Sequence, residues 1–139
     1  MEITANAIQT VGANNDIMFT DTAVSGCQSI IHREGSGLVT LLGLGRQCRA
    51  RFHINFGANI AVPTGTDVAP ISLDVAINGE PFGTTKMIST PTAVDQYNNV
   101  STSAFIEVPV GCCTSIAIKN TSSIPINVQN ANLIVERVA

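Results

Sequence analysis

Two histidines, four cysteines, three spaced aspartates and three crowded arginines are the side chains here that could do chemistry. His32 and His53, the only histidines, fall on different predicted strands. A general base or a metal ligand needs convergent partners, so the expectation is two surface or interface histidines on polar strand faces. A metal-dependent β-scaffold enzyme would need clustered His and Glu, which the sequence does not supply. No Gly-x-Ser-x-Gly elbow occurs, and Ser36 between two glycines reads as a turn. Gly43-x-Gly45, running into Arg46-Gln47-Cys48, lacks the third glycine and the helix of a dinucleotide site. Cys27, Cys48, Cys112 and Cys113 do not have zinc-ligand spacing. A Cys27–Cys48 or a Cys48–Cys112 bridge stays open. Reduced, buried and inert thiols are the expectation for a chain that folds in the cytoplasm. Asp67, Asp74 and Asp95 offer oxygens to calcium, but not at the spacing of a calcium loop. No catalytic residue, cofactor or metal is therefore assigned, and the chain is not read as an enzyme.

Arg46, Arg49 and Arg51 could meet an anion, but such a run more often is a solvated strand face or pairs with Glu and Asp. The formal net charge is −3. That leaves no basic footprint for direct contact with nucleic acid. Charged residues are 12% of the 139 and hydrophobic ones 45%. An average soluble protein has about 25% charged residues, so much of this surface must be Asn, Ser, Thr, Gly and apolar groups. Burial against other copies would explain that; a merely neutral surface is the simpler account. The composition excludes disorder. No bilayer-spanning apolar run is present. The N-terminus has no basic region followed by an apolar one, so synthesis and folding in the cytoplasm are expected. Asn99-Val100-Ser101 and Asn120-Thr121-Ser122 match the glycosylation sequon and read as chance matches in an Asn- and Thr-rich chain.

The elements that must position these residues are strands. Short β-rich runs recur between turn residues, and no helix-period stretch appears. Strands are predicted over 16–24, 27–32, 38–42, 47–62, 71–77, 82–89, 100–108, 113–120 and 127–138. Ala50, Phe52, Ile54 and Phe56 alternate with Arg51, His53 and Asn55, which puts one row in the core and the other outside. Ile71, Leu73, Val75 and Ile77 alternate likewise and run into Asn78-Gly79, the strongest short hairpin signal. Pro125 sits where a missing N–H costs little. Residues 91–99 read as a polar loop. The expected fold is all-β: a single-domain jelly-roll β-sandwich of about eight to ten antiparallel strands over 16–139. An extended N-terminal segment precedes it over 1–15.

The order and spacing of these strands resemble the jelly-roll heads of the tumour necrosis factor and complement globular-head superfamily. The likeness is carried by the run from Arg49 to Phe56 and by the strand from Ile71 into Asn78-Gly79-Glu80. It continues in Val108-Pro109-Val110-Gly111, in residues 114–119, and in Ala131-Asn132-Leu133-Ile134-Val135. It covers roughly residues 16–138. The chain departs from the pattern in having five Phe, one Tyr and no Trp, and in lacking a collagen-like stalk. The resemblance implies a homotrimer with apolar strand faces at a three-fold axis. It is also similar to small jelly-roll proteins of phages and of spore-forming bacteria. The function expected is thus a non-enzymatic structural module that decorates or extends a phage or similar particle, in contact with itself and with other particle or capsid proteins. The alternative is a ligand- or carbohydrate-binding tip, or a spore-surface or filament subunit. The candidate contact loop is Gln96, Tyr97, Asn98 and Asn99. The candidate docking segment carries Ile3, Ala5, Ala7 and Val11, which could add a strand to a neighbour or be the first strand of their own sandwich.

Overall fold

A computed structural model describes residues 1–46, 48–111 and 113–139. The alternating run after Cys48 forms the longest strand, β6 (Arg49–Ala61). Its even-numbered residues from Ala50 to Ile60 are buried, and its odd-numbered ones face out. The remaining strands are β1 (Glu2–Ala5), β2 (Gln9–Val11), β3 (Asp21–Val24), β4 (Ile30–His32), β5 (Val39–Leu42), β7 (Ile71–Ile77), β8 (Glu80–Ser89), β9 (Asn98–Pro109), β10 (Cys113–Asn120) and β11 (Ile126–Arg137). They form two antiparallel sheets, one of six strands in the order β3-β1-β11-β6-β9 with β2 also on β11, the other of five in the order β4-β5-β10-β7-β8. Among the described residues there is no helix. The fold is an all-β sandwich.

Inward rows of the two sheets meet in one core. Phe19, Phe52 and Phe56 are its largest side chains, and the rings of Phe19 and Phe56 meet edge to face at 6.4 Å, a favoured aromatic geometry. Asn78 (φ 52°) and Gly79 (φ 86°) make the predicted two-residue turn. Their positive φ values match the twist of the flanking strands, and Ile77 pairs with Glu80 across it.

Three boundaries differ from the sequence reading. The first is the N-terminal segment, which is not a separate arm. β1 is paired on one side with β11 and on the other with β3, and β2 is paired with β11. Ile3, Ala5 and Val11 are buried in the core of their own sandwich. With the backbone of β1 hydrogen-bonded on both sides, it has none left to offer a neighbouring molecule. Between β1 and β2 the chain passes over a bulge of β11, where Asn130 has φ 54° and donates its N–H to the Asn6 carbonyl (3.3 Å). The second is the strand expected over 16–24. Only Asp21–Val24 of it is strand, as β3; the residues before it cross between the sheets, with Ile17 N bonding Ile118 O on the five-stranded sheet (2.8 Å) and Thr20 N bonding Thr4 O on the six-stranded one (3.0 Å). The third is the loop expected over 91–99. Asn98 and Asn99 already belong to β9, paired with Ile60 and Asn59.

Candidate functional site

The outward side chains of the six-stranded sheet form the broadest regular surface that the fold builds. Strand register sets its rows. Phe105, His53 and Glu136 lie side by side on β9, β6 and β11; next come Ser103, Asn55 and Ile134, then Ser101, Gly57 and Asn132, then Asn99, Asn59 and Gln129. The last three rows contain no charged side chain. On β1 beyond them the charged Glu2 faces Ile134 and Thr4 faces Asn132, and Val24 on β3 lies beside Glu2. Asn99 Nδ2 donates to Asn59 Oδ1 (3.1 Å), and Asn132 Nδ2 to Glu2 Oε2 (2.6 Å). Phe105, Val24 and Ile134 stand out of this polar ground, at 64%, 56% and 36% exposure.

One end of the face is charged. Arg49 Nη1 and Arg51 Nη2 both donate to Glu107, at 2.6 and 2.9 Å. The hydrogen bonds from Arg49 and then Arg51 hold the Glu107 carboxyl below the usual carboxylate range. The same contact raises the Arg49 guanidinium, first through the hydrogen bond and then through the charge of Glu107. These two arginines therefore pair with an acid on the neighbouring strand and do not form a vacant anion site; Arg46 is exposed in the preceding loop. Beside them His53 Nδ1 lies 3.3 Å from Glu136 Oε1, and its ring packs at 5.1 Å against Phe105. His53 is thus half-buried beside one carboxylate and one aromatic ring.

The outer face of the five-stranded sheet differs in kind. Asp16 bridges to Lys119, Lys119 is registered opposite Asp74, and Lys86 Nζ donates to Asp74 Oδ2 at 2.8 Å. Four alternating charges thus cross this sheet. Burial raises the Asp16 carboxyl above its ordinary range, partly offset by Lys119. Asp74 reads from its period as a solvent-facing residue, yet it is buried. The cause is the register break between β7 and β8. There Thr85 Oγ1 accepts from Val75 N (2.9 Å) and donates to Phe82 O (2.6 Å), substituting for ladder bonds.

The other sequence-derived candidates do not converge. His32 lies in the five-stranded sheet, on β4, whereas His53 lies in the six-stranded one. His32 Nε2 is bonded to Ser36 O at 2.9 Å, and its ring meets Phe19 edge-on. Asp67 and Asp95 are exposed in loops while Asp74 is within β7. Asp95 accepts from Thr64, and among the described residues no group of three metal-ligating side chains forms. Cys27, Cys48 and Cys113 are exposed, which corrects the expectation of buried thiols: each sits in or beside a turn at one end of the sandwich, outside the inward rows. Cys27 and Cys48 are not bridged; the pairing of Cys48 with Cys112 lies outside the described residues. A cavity of about 300 Å³ at this end is lined by Cys48, Arg49, Glu107 and Pro109. In the proposed contact loop, Gln96 turns back to accept from Thr92 N (3.0 Å), Tyr97 is half-buried, and Asn98 Nδ2 donates to Ser89 Oγ at 3.2 Å. Of the proposed docking residues only Ala7 is exposed, in a shallow cavity with Ile8 and Met18.

Sequence reasoning missed Asn120 altogether, because it reads as a sequon. It is fully buried. Its Nδ2 donates to the carbonyls of Val11 (3.0 Å), Gly12 (3.2 Å) and Ile124 (2.9 Å). A glycan cannot be attached to an amide committed in this way. Asn99, the other sequon asparagine, is exposed on β9.

Neither a family model nor a curated protein matches this chain. No helix among the described residues is long and apolar enough to cross a membrane.

Proposed function

We propose that the chain is a non-enzymatic structural module that associates into homotrimers and decorates or extends a phage or similar particle. The observation that carries this reading is the contrast between the two sheet faces. The face of β11, β6 and β9 carries no charged side chain over three rows, with Ile134 exposed among them. The face of the five-stranded sheet carries a row of alternating charge, Asp16, Lys119, Asp74 and Lys86. Contact surfaces are depleted of charge at their centres, and neutral polar side chains cost less to bury than charges where they find hydrogen-bond partners across the contact. The strand order β3-β1-β11-β6-β9 over β4-β5-β10-β7-β8 supports the jelly-roll resemblance, and that resemblance supports three-fold association. The arginines are paired with Glu107 and the histidines lie in different sheets, which favours a binding surface over a reaction centre.

Sedimentation equilibrium under reducing conditions tests the reading. The wild-type mass is expected at three chains or a multiple of three. Asn55→Arg with Ile134→Arg should dissociate the trimer, and Ser115→Arg on the opposite sheet should not. A wild-type monomer at high concentration overturns it. Attachment to a particle is checked by identifying the chain among the proteins of purified virions or spores.

A further inference from the structure

An open sandwich has four sheet edges, and each exposes unpaired backbone N–H and C=O groups that template another strand unless the edge is blunted. The edges of this chain other than β9 are blunted, and β2, paired only with β11, has just three residues. β3 is four residues long, begins at Asp21 and is irregular against β1. β4 has three residues. β8 carries Pro81 and Lys86 and breaks register opposite Asp74. β9 is different. It has twelve residues in unbroken register with β6, with proline only at its last position. Its single charge, Glu107, is held by Arg49 and Arg51 of the neighbouring strand. The sandwich is also incompletely closed there. On β6 the inward row is fully buried, whereas inward-facing Val100, Thr102 and Ala104 of β9 remain half-exposed. The start of β9 is tied to the other sheet through Asn98 and Ser89 and its end by the close approach of Pro109 to Gly43, so the opening lies between them.

We infer that β9 pairs with β9 of a second copy, antiparallel about a two-fold axis at Ser103, so that the six-stranded sheet continues through two molecules. The partner is a second copy because a strand can be added only by a free edge, and β9 is the one long unblunted edge this chain has to offer. A contact of an edge with itself is two-fold by necessity. Centred on Ser103, the register uses nearly all of β9 and keeps outward rows outward on both molecules. Ser103 faces its own copy, Ser101 faces Phe105, and Asn99 faces Glu107. The neutralised Glu107 brings no like charge to the joint, and the added strand covers the half-exposed inward row. This contact is separate from the face centred on β11, and it joins trimers in pairs where the face reading holds.

Ser103→Cys and Ser101→Cys in the full chain, oxidised gently with dissolved oxygen and a copper catalyst, test the register. Oxidation takes two thiols to one disulfide, with the two hydrogens passing to oxygen. Directly opposed residues in an antiparallel pair bring their Cα atoms to about 5 Å, within disulfide reach. The 103–103 cross-linked peptide, identified by mass spectrometry, should form at least tenfold faster than any 101–101 peptide; equal rates overturn the inference. Ser103→Lys, which sets two like charges on the axis, should halve the mass measured in solution. If the face reading fails and the edge holds, the wild type is a dimer and Ser103→Lys a monomer. If the face holds and the edge fails, both are trimers, and that result also overturns the inference.

Discussion

Asn120→Ala tests whether one buried amide fastens the N-terminal strands to the sandwich. In the native chain, Asn120 Nδ2 supplies the carbonyls of Val11, Gly12 and Ile124. Its Oδ1 accepts from Ser122 N at 3.0 Å and from the Ser122 hydroxyl. Alanine removes both functions at once and leaves three carbonyls and an amide without their partner. Each lost hydrogen bond costs about 1 kcal/mol net, and more where a buried group is left unsatisfied. Water entering at the half-exposed Gly12 recovers a part, so about 3 kcal/mol is expected, a large fraction of a typical domain stability. In thermal unfolding that corresponds to a fall of roughly 10 °C for a chain of this size. Asn120→Asp should be worse at neutral pH, because a carboxylate there faces three carbonyl oxygens. Burial must raise the pKa of that carboxyl in the folded state, so this variant should regain stability as pH falls. Urea unfolding followed by circular dichroism at neutral and acid pH gives both numbers. An Asn120→Ala variant within about 0.5 kcal/mol of wild type, the range of ordinary surface substitutions, would refute the reasoning. So would an Asn120→Asp variant indifferent to acid.

Deleting residues 1–7 removes β1, including buried Ile3 and Ala5, and should abolish cooperative unfolding; a stably folded truncation would restore the view of this segment as a docking arm. Gly43→Ala places a Cβ 2.1 Å from the Pro109 carbonyl oxygen, so it should lower the melting temperature far more than Gly35→Ala, whose added carbon meets no atom within 4 Å and whose cost is confined to its positive φ. Asp16→Asn should raise stability at neutral pH. The raised folded-state pKa means that ionising Asp16 costs the native state more than the unfolded one, so the wild type loses stability as pH rises through that interval and the variant does not; the gain should vanish in acid, where wild-type Asp16 is protonated.

Period-two alternation was enough to locate β6 and β7; β6 lays one row in the core and the other outside, whereas on β7 much of the second row is buried as well. Asn78-Gly79 was legible because a two-residue hairpin demands positive φ, which few residues adopt cheaply. What stayed illegible depends on distant partners. β1 and β2 are too short to show a period, and each exists only because β11, at the far end of the chain, presents a ladder to it. The bulge that separates them is set by Asn130, a residue that alternation alone places within an ordinary strand. Asp74 is polar in the outward row and therefore predicted exposed; only the break in β8 encloses it. The same limit applies to the candidate surface. That Arg49 and Arg51 would pair with an acid could be anticipated from their crowding, but that the acid is Glu107 required the register of β9 on β6. The neutrality of the adjoining rows likewise arises only when β9, β6 and β11 are set in register, since each of these strands carries charges elsewhere along its length. Residue type thus marked which atoms could react, while register decided which neighbours Arg49, Arg51 and His53 meet. Register also leaves one sheet face and the long edge of β9 uncovered by the rest of the described chain, and these are the surfaces that the two proposed contacts use.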